Sequence, residues 1–112
     1  MNFSNLNSIV NYIVENGKGI LAADESNGTM TKRLESVNVA STAENRLSFR
    51  EALFSSESMK EYIGGVILYD ETIKQESSKK NKIPELILEM GSIPGIKVDT
   101  CLLYTSDAAD DL

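Results

Sequence analysis

Gly19-Ile20-Leu21-Ala22-Ala23-Asp24 is an apolar run too short for a helix, opened by glycine and closed by an acid. That composition suits a strand buried on both faces, as in a parallel sheet covered by helices. A second run of the same kind, Gly64-Gly65-Val66-Ile67-Leu68-Tyr69, stops at the acidic pair Asp70 and Glu71. A third, Gly95-Ile96-Lys97-Val98-Asp99, follows Pro94 and carries one charged residue in an apolar setting.

Helical spacing fills the intervals between these runs. Leu6, Ile9, Val10, Ile13 and Val14 recur at i, i+3, i+4 and i+7, which predicts an amphipathic helix from Leu6 to Glu15, ended by Asn16 and Gly17. Asp24 to Gly28 is loop chemistry, and a short helix is expected over Thr29 to Leu34. Ser41 with Glu44 three positions on fits a capping box ahead of the helix holding Leu47 and Leu53. Pro84 suits the first position of a helix through Met90, with Gly91 behind it. Strands alternating with helices predict an α/β fold with parallel pairing, in an open sheet or a closed barrel. The pattern does not choose between the two.

Composition narrows the function classes. The chain has 112 residues with 17 acidic and 11 basic side chains, a net charge of -6, which disfavours a sequence-independent grip on nucleic acid. Its apolar runs fall far short of the roughly 20 residues that span a bilayer. Met1 to Ser8 lacks the basic and apolar layout of a secretory signal, so a cytoplasmic setting is expected. One cysteine and no histidine argue against a disulfide framework or a zinc site.

In parallel α/β folds ligands meet the carboxyl ends of the strands, which here are closed by Asp24, Asp70 and Asp99. Each aspartate has a plainer reading as the cap of a following helix. Ser26-Asn27-Gly28-Thr29 lies between a strand end and a helix start, where hydroxyls and free N–H groups hold an anion or simply face solvent. Lys32 and Arg33 add positive charge one turn on, toward the same mouth or on an exposed helical face. Lys97 says more, because a lysine flanked by Ile96 and Val98 in a strand points into a polar site or pairs with a carboxylate.

Together these residues carry a resemblance. Gly17-Lys18-Gly19-Ile20-Leu21-Ala22-Ala23-Asp24-Glu25-Ser26 is similar to the hallmark of class I fructose-bisphosphate aldolases. Lys32-Arg33-Leu34, Glu44-Asn45-Arg46, Gly64 to Leu68 with Glu71-Thr72, and Gly95 to Asp99 follow the same family in order and spacing, so the resemblance covers about residues 16–100. It implies a TIM (β/α)8 barrel of which this chain holds the first three strands, incomplete. It also implies cleavage of fructose 1,6-bisphosphate to dihydroxyacetone phosphate and glyceraldehyde 3-phosphate through a lysine Schiff base, in glycolysis and gluconeogenesis, with no metal and no cofactor.

By the same resemblance Asp24 is the active-site aspartate. Ser26, Thr29 and Lys97 would hold a phosphate, threonine standing where the family more often has serine. Arg33 matches a substrate-binding arginine and Lys32 a neighbouring active-site lysine. The partners implied are fructose 1,6-bisphosphate and triose phosphates, with no nucleic acid and no membrane, and the full-length parent is expected to be a homo-oligomer. The Schiff-base lysine, the general acid/base glutamate and the second phosphate loop belong to later strands of the family, so this chain alone is expected to be inactive. Two other readings stand beside this one: a different Schiff-base barrel aldolase, and a non-catalytic phosphate-binding or interaction module.

Past Thr100 the resemblance stops. Residues 101–110 back-translate into codons that look like a transposon mosaic end joined to a sequencing adapter, so 101–112 is expected to be a non-native tail behind an aldolase part at 1–100. Without Asp107, Asp110 and Asp111 the chain has 14 acidic residues against 11 basic ones.

Overall fold

The first two apolar runs and the opening residues of the third, Gly95 and Ile96, lie in three parallel strands in the order β1-β2-β3, in a computed structural model that describes residues 5–98. Helix α1 is Leu6–Val14, followed by a 3-10 turn at Glu15–Gly17 and strand β1 at Gly19–Ala23. Helices α2 (Asn27–Glu35), α3 (Ala43–Phe54) and α4 (Glu57–Tyr62) lead to strand β2 at Ile63–Leu68. Helices α5 (Asp70–Ile73) and α6 (Ile83–Glu89) then lead to strand β3 at Ile93–Ile96. Each parallel pairing needs a crossover, and the helices supply both.

Side chains alternate across the sheet. Ala23, Val66 and Leu68 turn toward the helices and meet Phe54, Met59, Ile83 and Ile87, each no more than 2% exposed. Along the opposite face Ile9 and Ile13 of α1 join Ile20, Gly65, Ile67 and Ile93 in lining an open apolar cavity. Ile20 remains 58% exposed there. Close approach of α1 depends on Gly64: a Cβ at that position would lie 1.9 Å from the Ile13 carbonyl oxygen.

Several local expectations shift. Helix α2 begins two residues earlier than Thr29, because Ser26 is its N-cap and accepts from the Thr29 N–H. Thr42, not Ser41, caps α3 by accepting from Asn45 N. Ser41 Oγ is instead engaged by Thr31 and Arg46. Pro84 is the second residue of α6, and Glu85 Oε1 accepts the Lys82 N–H that opens it. The third strand starts at Ile93 and takes in Pro94, whose missing N–H is tolerated because β3 is an edge strand among the described residues. Its register with β2 runs from Gly65↔Ile93 to Leu68↔Ile96, and Lys97 N donates to Leu68 O at 2.9 Å. Asp99 and the expected tail lie outside the described residues.

Candidate functional site

The chemistry gathers where β1 and β3 end. Asp24 is the first residue after β1 and Lys97 the first after β3. Lys97 Nζ donates to Asp24 Oδ2 at 3.4 Å across the end of β2, with the two side chains 26% and 22% exposed. At that exposure an ion pair adds little net stability. Its meaning is positional: a fixed cation and a carboxylate share one small mouth.

The turn behind Asp24 is built from its neighbours. Ser26 Oγ sits 3.3 Å from both the backbone N and Oγ1 of Thr29, closing the first turn of α2. Two hydroxyls and the N–H groups of that turn therefore stand together at a positive helix end. Arg33 reaches back to Glu25 from the next turn. Lys32 is exposed on α2. Asp70 stands apart: it begins α5 and pairs with Lys74 at 3.0 Å on the surface, which is the plainer role for a carboxylate in a first helical turn.

Sequence reading gave no role to the two arginines beneath this turn, Arg46, which it met only as part of a motif, and Arg50, which it passed over. Arg50 of α3, 1% exposed, donates from Nη2 to the Glu25 carbonyl at 2.6 Å and from Nη1 to Thr72 Oγ1 at 2.8 Å. Its Cζ lies 6.0 Å from the centre of the Tyr69 ring. One helical turn earlier Arg46 makes a two-pronged contact with Glu71, at 2.9 and 2.8 Å, and also reaches Ser41 Oγ at 2.9 Å. Hydrogen bonding from Arg46 holds the Glu71 carboxyl below its ordinary range, against the opposing pull of partial burial. The same bond raises Arg46. The usable signal in the sequence is the spacing of Arg46, Arg50 and Phe54, which puts both guanidiniums on the stripe of α3 that faces the core.

Among the described residues no cluster of three or more His, Cys, Asp or Glu is placed to hold a metal ion, and no helix is long and apolar enough to cross a membrane.

The fold and this cluster define a class: a parallel α/β protein whose charged and hydroxyl side chains meet at the carboxyl edge of its sheet, where such folds take up small ligands. The family is then direct. The model of the family described as Fructose-bisphosphate aldolase class-I matches residues 5–111, and the chain belongs to that family. It is similar to fructose-bisphosphate aldolase B of Gallus gallus, 54% identical over 95 residues covering 84% of this chain and 26% of the relative. It is also similar to the cytoplasmic isozyme 1 of Pisum sativum, 52% identical over 79% of this chain and 25% of that one. A solved fructose-bisphosphate aldolase from Plasmodium falciparum, in complex with TRAP and a small-molecule inhibitor, superposes with a TM-score of 0.77 at 40% identity, over 81% of this chain and 26% of that one. The chain thus spans about a quarter of the length of the curated relatives it matches.

Proposed function

We propose that this chain is the first three strands of a (β/α)8 barrel that cleaves fructose 1,6-bisphosphate to dihydroxyacetone phosphate and glyceraldehyde 3-phosphate. The observation that carries the reading is the Asp24–Lys97 pair at 3.4 Å, at the strand ends where barrel enzymes keep their chemistry. In the full enzyme a lysine amine condenses with the substrate's ketone carbon and releases water. The resulting iminium accepts the electron pair of the breaking carbon–carbon bond while the neighbouring hydroxyl gives up its proton. That lysine and the acid/base group come from later strands.

This chain's residues bind and orient. The Lys97 ammonium and the hydroxyls of Ser26 and Thr29 hold one phosphate at the head of α2. The Asp24 carboxylate accepts from substrate hydroxyls and lies beside the covalent centre. Arg33 exchanges Glu25 for substrate, and Lys32 adds charge at the rim. A cytoplasmic, homo-oligomeric full-length enzyme follows from the same reading. Residues 101–112 are taken as a non-native tail, from the end of the resemblance at Thr100 and the codon reading of 101–110.

Extending the reading frame past Thr100 and expressing the full-length protein tests the proposal. Borohydride with dihydroxyacetone phosphate should label that protein covalently, and the bisphosphate should be cleaved. Lys97→Met should keep the label while KM rises about tenfold or more, the cost of one charge-assisted hydrogen bond. The 112-residue chain should show neither label nor cleavage. A full-length protein that forms no borohydride-stable adduct would sink the reading.

A further inference from the structure

We propose that Arg50 is a positioning residue for the phosphate and aspartate side of the site, acting through the backbone of Glu25. This rests on the ligand reading above and names a part of the machinery that lies outside the substrate-binding set.

The argument begins with how Arg50 is held. It is 1% exposed, and its Nε is buried with no hydrogen-bond partner among the described residues. The nearest carboxylate oxygen, Glu25 Oε1, stands at 3.5 Å, and the other oxygen of that carboxylate, Oε2, is taken by Arg33. A guanidinium so enclosed, with one idle N–H and a long ion pair, stabilises the fold poorly; an apolar side chain of the same volume would serve a core as well or better. What Arg50 does have is two short, directed bonds, one to the turn that follows β1 and one to the short helix α5 that follows β2. Nη2 takes the carbonyl of Glu25 at 2.6 Å, and Nη1 takes Thr72 Oγ1, itself fully buried, at 2.8 Å.

Glu25 stands between Asp24 and Ser26, so its carbonyl is the hinge of the turn that aims one toward Lys97 and sets the other as the cap of α2. The rigid fork of one guanidinium therefore ties that hinge to Thr72 of α5, beneath the mouth of the site. A lysine in its place keeps the charge but not the two fixed directions. Errors of about an ångström in such placement cost rates by about a hundredfold.

The test uses the full-length protein and compares Arg50→Lys and Thr72→Val with Arg46→Met, which breaks the neighbouring arginine's bonds to Glu71 and Ser41 without touching the turn. Affinity for inorganic phosphate is measured by titration calorimetry, the kcat of bisphosphate cleavage by coupled assay, and stability by urea unfolding. Arg50→Lys should lose about tenfold in phosphate affinity and about a hundredfold in kcat, with Thr72→Val losing part of each. Arg46→Met should lose stability and keep both within about threefold. The proposal is overturned if Arg50→Lys keeps phosphate affinity within that margin, or if all three variants lose function only in step with stability. A wild-type protein that binds phosphate but does not cleave the bisphosphate defeats the aldolase reading and leaves the phosphate comparison to decide on Arg50.

Discussion

The Ile13 carbonyl oxygen of α1 lies where a side chain on Gly64 would begin, 1.9 Å from the position of a Cβ there. Neighbouring Gly65 is different, since a Cβ on it would meet only the Ile13 side chain, at 3.5 Å or more. A backbone cannot swing aside as a methyl group can. Gly64→Ala should therefore push α1 off the sheet and destabilise the full-length protein by about 2–3 kcal/mol, whereas Gly65→Ala should cost less than about 1 kcal/mol. Urea midpoints of the two variants check this, and equal losses would contradict the close approach.

Capping and ligand binding coincide at Ser26 and can be pulled apart. Ser26→Ala removes the acceptor for Thr29 N and should destabilise α2 by about 1 kcal/mol. Ser26→Asp restores a capping oxygen but sets a negative charge where a phosphate is proposed to bind. Thermal unfolding should show the aspartate variant near wild type and the alanine variant below it. Phosphate affinity should fall in both, and further in the aspartate variant. An aspartate variant that binds phosphate normally would mean that the head of α2 is only a helix start.

How much of this was legible before folding follows from what each residue must do locally. Strands β1 and β2 were readable to within a residue because a short apolar run bounded by glycine and acid leaves few alternatives. Helix α5 was hidden by its own signal: Asp70 and Glu71 mark the end of β2, yet they are also the first turn of a four-residue helix. The six-residue α4 lacks a period long enough to detect. Asp24 was visible as an acid closing a strand and Lys97 as a charge inside the third apolar run, but β3 ends at Ile96, just before Lys97, and the contact of the two depends on β2 lying between β1 and β3, which is topology. Arg50 was invisible for the opposite reason. An arginine on a helix ordinarily reads as solvated, and only burial against Glu25 and Thr72 reveals otherwise.

Acid stability provides a last prediction, because the fold lowers the affinity of the Glu71 carboxylate for protons. Arg46 holds it below its ordinary value of 4.5, so between that value and the lower folded one the unfolded chain binds more protons than the native state. Stability must then rise with pH through this window, be fully present above it, and be lost as pH falls through the folded value. The bond joins the start of α5 to α3, so its loss should loosen α5 before the core around Phe54 and Leu68. Glu71→Gln removes the titrating group while keeping one hydrogen-bond acceptor for Arg46. In urea unfolding measured across the acid range, the wild-type curve should slope more steeply than that of Glu71→Gln, and the two should differ most above pH 4.5. Parallel slopes would show that Arg46 does not hold Glu71 ionised in the native state.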